Sequence, residues 1–184
     1  MSVIKNNWWE IKRKEINKEL GTKLSHSSPY QTTTIEKIVL NSGIGQAVSN
    51  KQLLDNTAQA IQQITGQKPV LTLARKSVTN FKSREGMPIG CKVTLRKKRA
   101  WDFLFELINI NLPRTPNFQG ISRQKFDQDG NYNFGVDSLN IFPSVSYDLI
   151  FKNQGLQITI QFTSNSRKEN EEFLNLLGFP FQKN

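Results

Sequence analysis

Along one short stretch of the chain, Cys91, Val93 and Leu95 alternate with Lys92, Thr94 and Arg96. A period of two belongs to a β-strand, whose successive side chains point to opposite faces. A strand written this way buries one face and leaves the other cationic and wet, so neither a helix nor a doubly covered sheet fits here. The stretch lies within a wider basic region. From Arg75 to Arg99, nine lysines and arginines (Arg75, Lys76, Lys82, Arg84, Lys92, Arg96, Lys97, Lys98, Arg99) stand against one acid, Glu85, so the window carries +8 of a formal net charge of +10. Gly86, Pro88 and Gly90 interrupt the run, which rules out the solvated face of a single helix. Charge this concentrated points to a polyphosphate partner, because neutralising nucleic-acid phosphates releases condensed counterions.

The rest of the chain supplies elements to build around that strand. Ile4, Trp8, Ile11, Ile16 and Leu20 fall at helical spacings and predict an amphipathic helix over 3–20, followed by a polar loop over 21–33. The run Ile35, Ile38, Val39 predicts a strand over 34–41, with Lys37, Val39 and Asn41 on one face and Ile38 and Leu40 on the other. Gly43-Ile44-Gly45 reads as a tight turn before a helix near 50–64, whose stripe is Leu54, Ala58 and Ile61 and whose stop is Gly66. A short apolar strand covers Val70 to Leu73. Trp101, Leu104, Phe105, Ile108 and Leu112 give a core helix that stops at Pro113. Residues 113–138 read as a turn-rich excursion holding at most a hairpin. Leu156, Ile158, Ile160 and Phe162 form another half-buried strand. A last helix opens with Ser166 and Glu169 at capping-box spacing, buries Phe173, Leu174 and Leu177, and ends at Gly178. Several strands without helices between them, each polar on one side, predict an α+β fold. It has two layers: helices cover one face of a largely antiparallel sheet, and the other face is left for RNA. The predicted division is an N-terminal helix and polar loop over 1–33 and a single α+β RNA-binding domain over 34–184.

Other chemistries find little support. At 36% apolar and 10% aromatic residues the chain can bury an ordinary core. One cysteine and one histidine cannot make an internal disulfide or a zinc set, so no cofactor and no metal are expected. Gly43-x-Gly45 lacks the remainder of a nucleotide fingerprint, and Asp127-Gln-Asp129-Gly130-Asn131 lacks the glycine placement and terminal glutamate of a calcium loop, so it reads as a turn. His26 sits in a serine-rich loop with no acidic orienter near it in sequence. Cys91 aims at the core by its place in the alternation. Phe81, between Asn80 and Lys82 in a cationic loop, suits equally a base-stacking ring and a core anchor. No run is apolar enough to span a bilayer and no signal-peptide core is present.

The string GQKPVLTLARKSVTNFKSREGMPIGCKVTLR, from Gly66 to Arg96, closely resembles the bacterial-type large-subunit ribosomal protein number five, the family that binds 5S ribosomal RNA. The match continues through NSGIGQAV and KQLLDN (41–56), PRTPNFQGIS (113–122), FDQDGNYNFGV (126–136), IFP (141–143), GLQITI (155–160) and GFPF (178–181). The resemblance implies a non-catalytic constituent of the large subunit, whose sheet face and loops hold 5S rRNA in the central protuberance and touch the adjacent large-subunit rRNA and neighbouring large-subunit proteins. Carried over by position, the rRNA-facing residues are Lys37, Asn41, Gln67, Lys68, Arg75, Lys92, Thr94 and Arg96. The loop Ser77–Pro88 would reach toward peptidyl-site tRNA with Ser77, Phe81, Lys82 and Arg84. Glycine and like-charge repulsion leave that loop with little to order it. The excursion 113–138, with Arg114, Arg123 and Lys125, would bridge to a small-subunit head protein. The alternative is an RNA-binding chaperone or regulator that works off the ribosome; an RNA-cleaving enzyme would need clustered carboxylates, and the acids are scattered. Gln31-Thr32-Thr33-Thr34 departs from the family's proline-arginine step, and Ser144 and Ser146 stand where acids are common. Abundant Asn, Ile, Lys and Phe and the lack of a presequence favour an organelle-encoded mitochondrial protein, with a bacterial cytoplasmic one as the alternative.

Overall fold

The computed structural model describes residues 2–24, 31–45, 51–150 and 154–182; His26 and the side chains of Ile4 and Trp8 lie outside them. The elements are α1 (Ser2–Lys23), β1 (Ile35–Gly43), α2 (Lys51–Thr65), β2 (Val70–Leu73), β3 (Pro88–Arg96), α3 (Lys97–Glu106), β4 (Tyr132–Val136), β5 (Leu156–Phe162) and α4 (Arg167–Leu177). The strands form a five-stranded antiparallel sheet in the order β2-β3-β1-β5-β4, so the class is α+β as the patterning predicts. By contact, the chain divides into two compact units. One holds Met1–Ile38, Arg96–Phe134 and Thr159–Asn184, and the other holds Val39–Leu95 and Gly135–Ile158.

In the first unit, α1 packs against α3 and α4, and its Ile16 and Leu20 are buried. Ile11 is 55% exposed, contrary to the expected stripe. At 3.6 residues per turn it lies about 140° around the helix from Ile16 and about 180° from Leu20. The helix also runs to Lys23, past the predicted start of the loop at 21. Between α3 and α4, Trp101 meets Phe173 edge to face at 6.1 Å, and Phe162 of β5 meets Phe173 at 5.8 Å. After Glu106 the helix widens into a π segment, Leu107–Asn111, and then tightens into a 3₁₀ turn, Leu112–Arg114, where Pro113 ends it. The excursion beyond is not merely a hairpin: its end enters the main sheet as β4. Tyr132, fully buried, gathers Phe126, Phe134, Phe179 and Phe181 at centroid distances of 4.8–5.7 Å and donates its hydroxyl to the Ser122 carbonyl at 2.8 Å. Burial holds that phenol's pKa above its ordinary value.

The predicted capping box does not form. Ser166 makes no side-chain cap bond. Glu169 is buried and instead accepts the Thr33 N–H at 3.0 Å on Oε1 and the Ser164 hydroxyl at 2.7 Å on Oε2. Beside it Asn170, fully buried, accepts the Thr33 hydroxyl at 2.7 Å and donates to the Gly130 and Ser164 carbonyls at 3.0 and 2.7 Å. The Thr-rich approach to β1 is thus pinned to α4 by polar bonds. The Asp127 loop is a turn, as expected: its carboxylate accepts the N–H groups of Asp129 and Asn131 and the side-chain amides of Asn131 and Asn133. Burial tends to raise the Asp127 pKa, but these four donors outweigh it and hold the group below the usual carboxylate range.

In the second unit, α2 buries Leu54, Thr57, Ala60, Ile61 and Ile64. Ala58 is only half-buried, and Thr57 and Ile64 complete the stripe in its place. Gly66, at φ +64°, ends the helix as predicted. The segment 43–45 is not a tight turn. β1 continues through Gly43, and Ile44 donates its N–H to the Ile89 carbonyl at 2.8 Å while its side chain packs on Leu54. Gly90 is required where it is: a Cβ there would lie 2.7 Å from the Ser42 carbonyl oxygen and 2.8 Å from the Thr72 hydroxyl.

Replacing Asn170 with leucine removes three hydrogen bonds, two of them buried, from the Thr33 hydroxyl and the Gly130 and Ser164 carbonyls. We expect a loss of about 2–4 kcal/mol in urea unfolding. Because the folded pKa of Asp127 is depressed, its contribution is complete above the unfolded-state value and is lost as pH falls through the folded one. Wild-type stability therefore falls at acid pH more steeply than that of Asp127→Asn.

Candidate nucleic-acid interface

The alternation that opened the sequence is realised on β3. Cys91, Val93 and Leu95 are buried, Lys92 and Arg96 are exposed, and Thr94 is half-buried between them. Each buried aliphatic side chain contributes about 2 kcal/mol, enough to fix which face points inward. On β1, Ile38, Leu40 and Ser42 turn in, while Lys37, Val39 and Asn41 are half-exposed, again as the period predicts.

In the second unit, Gln67 follows the α2 stop and donates its side-chain amide to the Thr94 carbonyl at 3.3 Å, which ties it to β3. The neighbouring Lys68 is exposed, as is Arg75. Asn41, Gln67, Lys68, Lys92 and Thr94 thus offer two ammonium groups, two amides and a hydroxyl from one compact unit. In the first unit, Arg96 reaches the Glu36 carboxylate at 3.4 Å and Lys37 lies 3.9 Å from the same group. One acid serves two cations there, and solvent exposure keeps such pairs weak and exchangeable for phosphate.

The loop between β2 and β3 carries several hydrogen bonds of its own. Ala74 donates to the Met87 carbonyl at 2.8 Å and accepts from the Gly86 N–H at 3.0 Å. Val78 and Ser83 exchange N–H and C=O bonds at 3.0 and 3.2 Å around a 3₁₀ turn, Thr79–Phe81. Lys82 adopts the left-handed conformation, φ 51°, with its N–H on the Thr79 carbonyl. The Ser77 hydroxyl accepts the Glu85 N–H at 2.9 Å. Phe81 is 76% exposed, so the core-anchor alternative is excluded; Lys82 and Arg84 are exposed beside it in sequence.

On the excursion, Arg114, Arg123 and Lys125 are all exposed. Arg123 is engaged within its own unit, bonding Glu171 at 2.9 Å and lying 5.0 Å over the Phe181 ring. Three further exposed cations, Lys97, Lys98 and Arg99, open α3 beyond Arg96. Their charge is plain in the sequence. Cys91 is a buried thiol, its pKa pushed up to about 11 by burial, which agrees with a packing role. Among the described residues no group of acids, histidines and cysteines is placed to hold a metal, and no helix is long and apolar enough to cross a membrane.

Two family models match the chain: the ribosomal protein L5 model over residues 28–84 and the C-terminus model of the same ribosomal family over residues 88–181. The chain is similar to the large ribosomal subunit protein uL5 of Baumannia cicadellinicola subsp. Homalodisca coagulata, at 47% identity over 175 residues, covering 95% of this chain and 97% of the relative. It is also similar to the large ribosomal subunit protein uL5 of Macrococcus caseolyticus strain JCSC5402, at 48% identity over 169 residues, covering 92% and 94%. Both relatives are bacterial, which supports the bacterial alternative and lends nothing to the mitochondrial expectation.

A thiol this protected reacts slowly. We expect iodoacetamide to modify Cys91 at least ~100-fold more slowly in the folded chain than in urea at pH 8, followed by mass spectrometry; equal rates would mean that the dry face of β3 is open.

Proposed function

Because this chain belongs to the ribosomal protein L5 family, and is therefore a structural, non-catalytic constituent of the large ribosomal subunit, we propose that it holds 5S rRNA in the central protuberance through the uncovered polar faces of β3 and β1. The observation that carries this reading is the buried-exposed alternation of β3. It fixes Lys92 and Arg96 toward solvent on a strand whose dry face is locked by Cys91, Val93 and Leu95. Lys37, Lys68, Arg75, Lys92 and Arg96 neutralise phosphates. Asn41, Gln67 and Thr94 bond ribose hydroxyls or base edges, because A-form RNA is read mainly by shape and through its shallow minor groove. Contacts to the adjacent large-subunit rRNA extend the same surface.

Two finer assignments accompany this one. The ordered hairpin presenting Phe81, Lys82 and Arg84, braced by Ser77, suits a rigid contact with peptidyl-site tRNA, with the ring supplying a stacking face and the cations meeting phosphates. Arg114, Arg123 and Lys125 on the excursion suit a bridge to a small-subunit head protein. There Arg123, held by Glu171 and Phe181, stiffens the surface and Arg114 and Lys125 reach outward. The setting consistent with the relatives is a bacterial cytoplasmic ribosome.

If about five cations each meet a phosphate, log K for 5S rRNA falls with log salt with a slope of roughly −3.5 to −4.5. Lys68→Ala weakens binding to every RNA about equally, whereas Asn41→Ala narrows the preference for 5S rRNA over a random duplex. A slope near zero in a filter-binding titration, or the two variants exchanging effects, would overturn the assignment.

A further inference from the structure

β2 ends the sheet on one side, and nothing among the described residues pairs with its outer edge. Its side chains are exposed to an unusual degree for such an apolar sequence: Val70 67%, Leu71 39% and Leu73 57%. The other terminal strand is treated differently. Beside β4, Asn133 donates its N–H to the Lys125 carbonyl at 2.9 Å and Phe126 bridges to Tyr132, so the chain covers that edge itself. β2 is short, at four residues, and its pairing with β3 shifts register between Thr72 and Leu73, but it carries neither a charge nor a proline within Val70–Leu73 to block a further strand.

The direction of its free hydrogen bonds follows from the hairpin. Ala74 gives its N–H to Met87 and accepts that of Gly86, so its backbone groups face β3, and the register shift between Thr72 and Leu73 skips Ile89 on β3, leaving β2 itself in regular alternation. Bonding direction alternates along a strand, so Leu71 and Leu73 turn their N–H and C=O groups outward. The charges flanking this open ladder are Lys68, Arg75, Lys76 and, across the pair, Lys92, all exposed.

We propose that the outer edge of β2 is a docking strand for an extended peptide segment of a neighbouring protein, one that alternates apolar and acidic residues and adds a sixth strand to the sheet. Charge decides among the possible occupants. A second copy pairing antiparallel through Leu71 and Leu73 sets Lys68 of each chain opposite Lys76 of the other, and a parallel copy sets like against like, so self-association is repelled. RNA offers phosphates to the flanking cations but no row of alternating N–H and C=O groups for Leu71 and Leu73, and no aliphatic cover for Val70. An acidic, apolar strand satisfies all three demands together.

The test uses the full chain and a short peptide of alternating valine and glutamate, with an alternating valine and lysine peptide as control. We expect the glutamate peptide to bind at least ~10-fold more tightly in fluorescence anisotropy. We also expect it to slow hydrogen exchange at the Leu71 and Leu73 amides. Leu71→Pro removes an outward donor at a position where an edge strand tolerates proline, and is expected to weaken peptide binding ~10-fold while leaving 5S rRNA affinity unchanged. Leu73→Asn keeps the backbone and the charge intact and, if the proline variant unfolds, gives the same reading through lost apolar cover. Equal binding of the two peptides, unchanged binding by a folded variant, or protection of the two amides by 5S rRNA alone would each overturn the proposal. Since RNA affinity is measured separately on the same chains, failure of the RNA assignment and failure of this one remain distinct.

Discussion

The dry face of β3 is the constraint from which the rest follows. Cys91, Val93 and Leu95 have to be buried, and the same pleat that buries them turns Lys92, Thr94 and Arg96 the other way. Because β2 and β1 flank β3 on its two edges, the strand has no freedom to slip; a shift of one residue would put two cations into the core. The exposed cations of β3 are accordingly not an addition to a finished scaffold. The cationic surface is the reverse side of the hydrophobic one, and a substitution that weakens the core also misplaces the charges.

A second determinant is polar. Thr33, Glu169, Asn170 and Ser164 form a buried cluster in which each named bond lies within 3.0 Å. Such a network is stabilising only when all members are satisfied, because the low local dielectric that strengthens each bond also raises the cost of an orphan. It explains how a segment of threonines, with no strong structural preference of its own, enters β1 at a defined place.

Strong periodicity was legible in the sequence, and single exchanges between local and long-range partners were not. The alternations of β3 and β5 and the stripes of α2 and α4 follow from repeated side-chain spacing, which tertiary contacts reinforce. Glu169 shows where such inference stops: its spacing from Ser166 is that of a capping box, yet a backbone N–H 136 residues away in sequence offers a better, buried bond. Gly43-Ile44-Gly45 looked like a turn because glycine permits one, but β1 runs on through Gly43, and Ile44 just beyond it is held by a backbone bond to Ile89 and a side-chain partner in Leu54. Phe81 was ambiguous because a lone aromatic residue carries no period at all; only its exposure in the fold separates a ring offered to a partner from one held in the core. The cationic face was legible as charge. Which of its members are tied back, as Arg96 is to Glu36 and Arg123 to Glu171, depends on neighbours that sequence order does not reveal.

The crossed bonds within the β2–β3 hairpin bear on how tightly its tip can bind anything. A floppy, highly charged tether would surrender backbone freedom at the moment of encounter, about 1–2 kcal/mol for every residue brought to rest. Here the Val78–Ser83 exchange and the Ala74 closure have met much of that demand during folding. A partner proposed for the tip would therefore meet a prepositioned surface: one of matching contour would be gripped with little entropic penalty, and one displaced by a few ångströms would gain almost nothing from its cations.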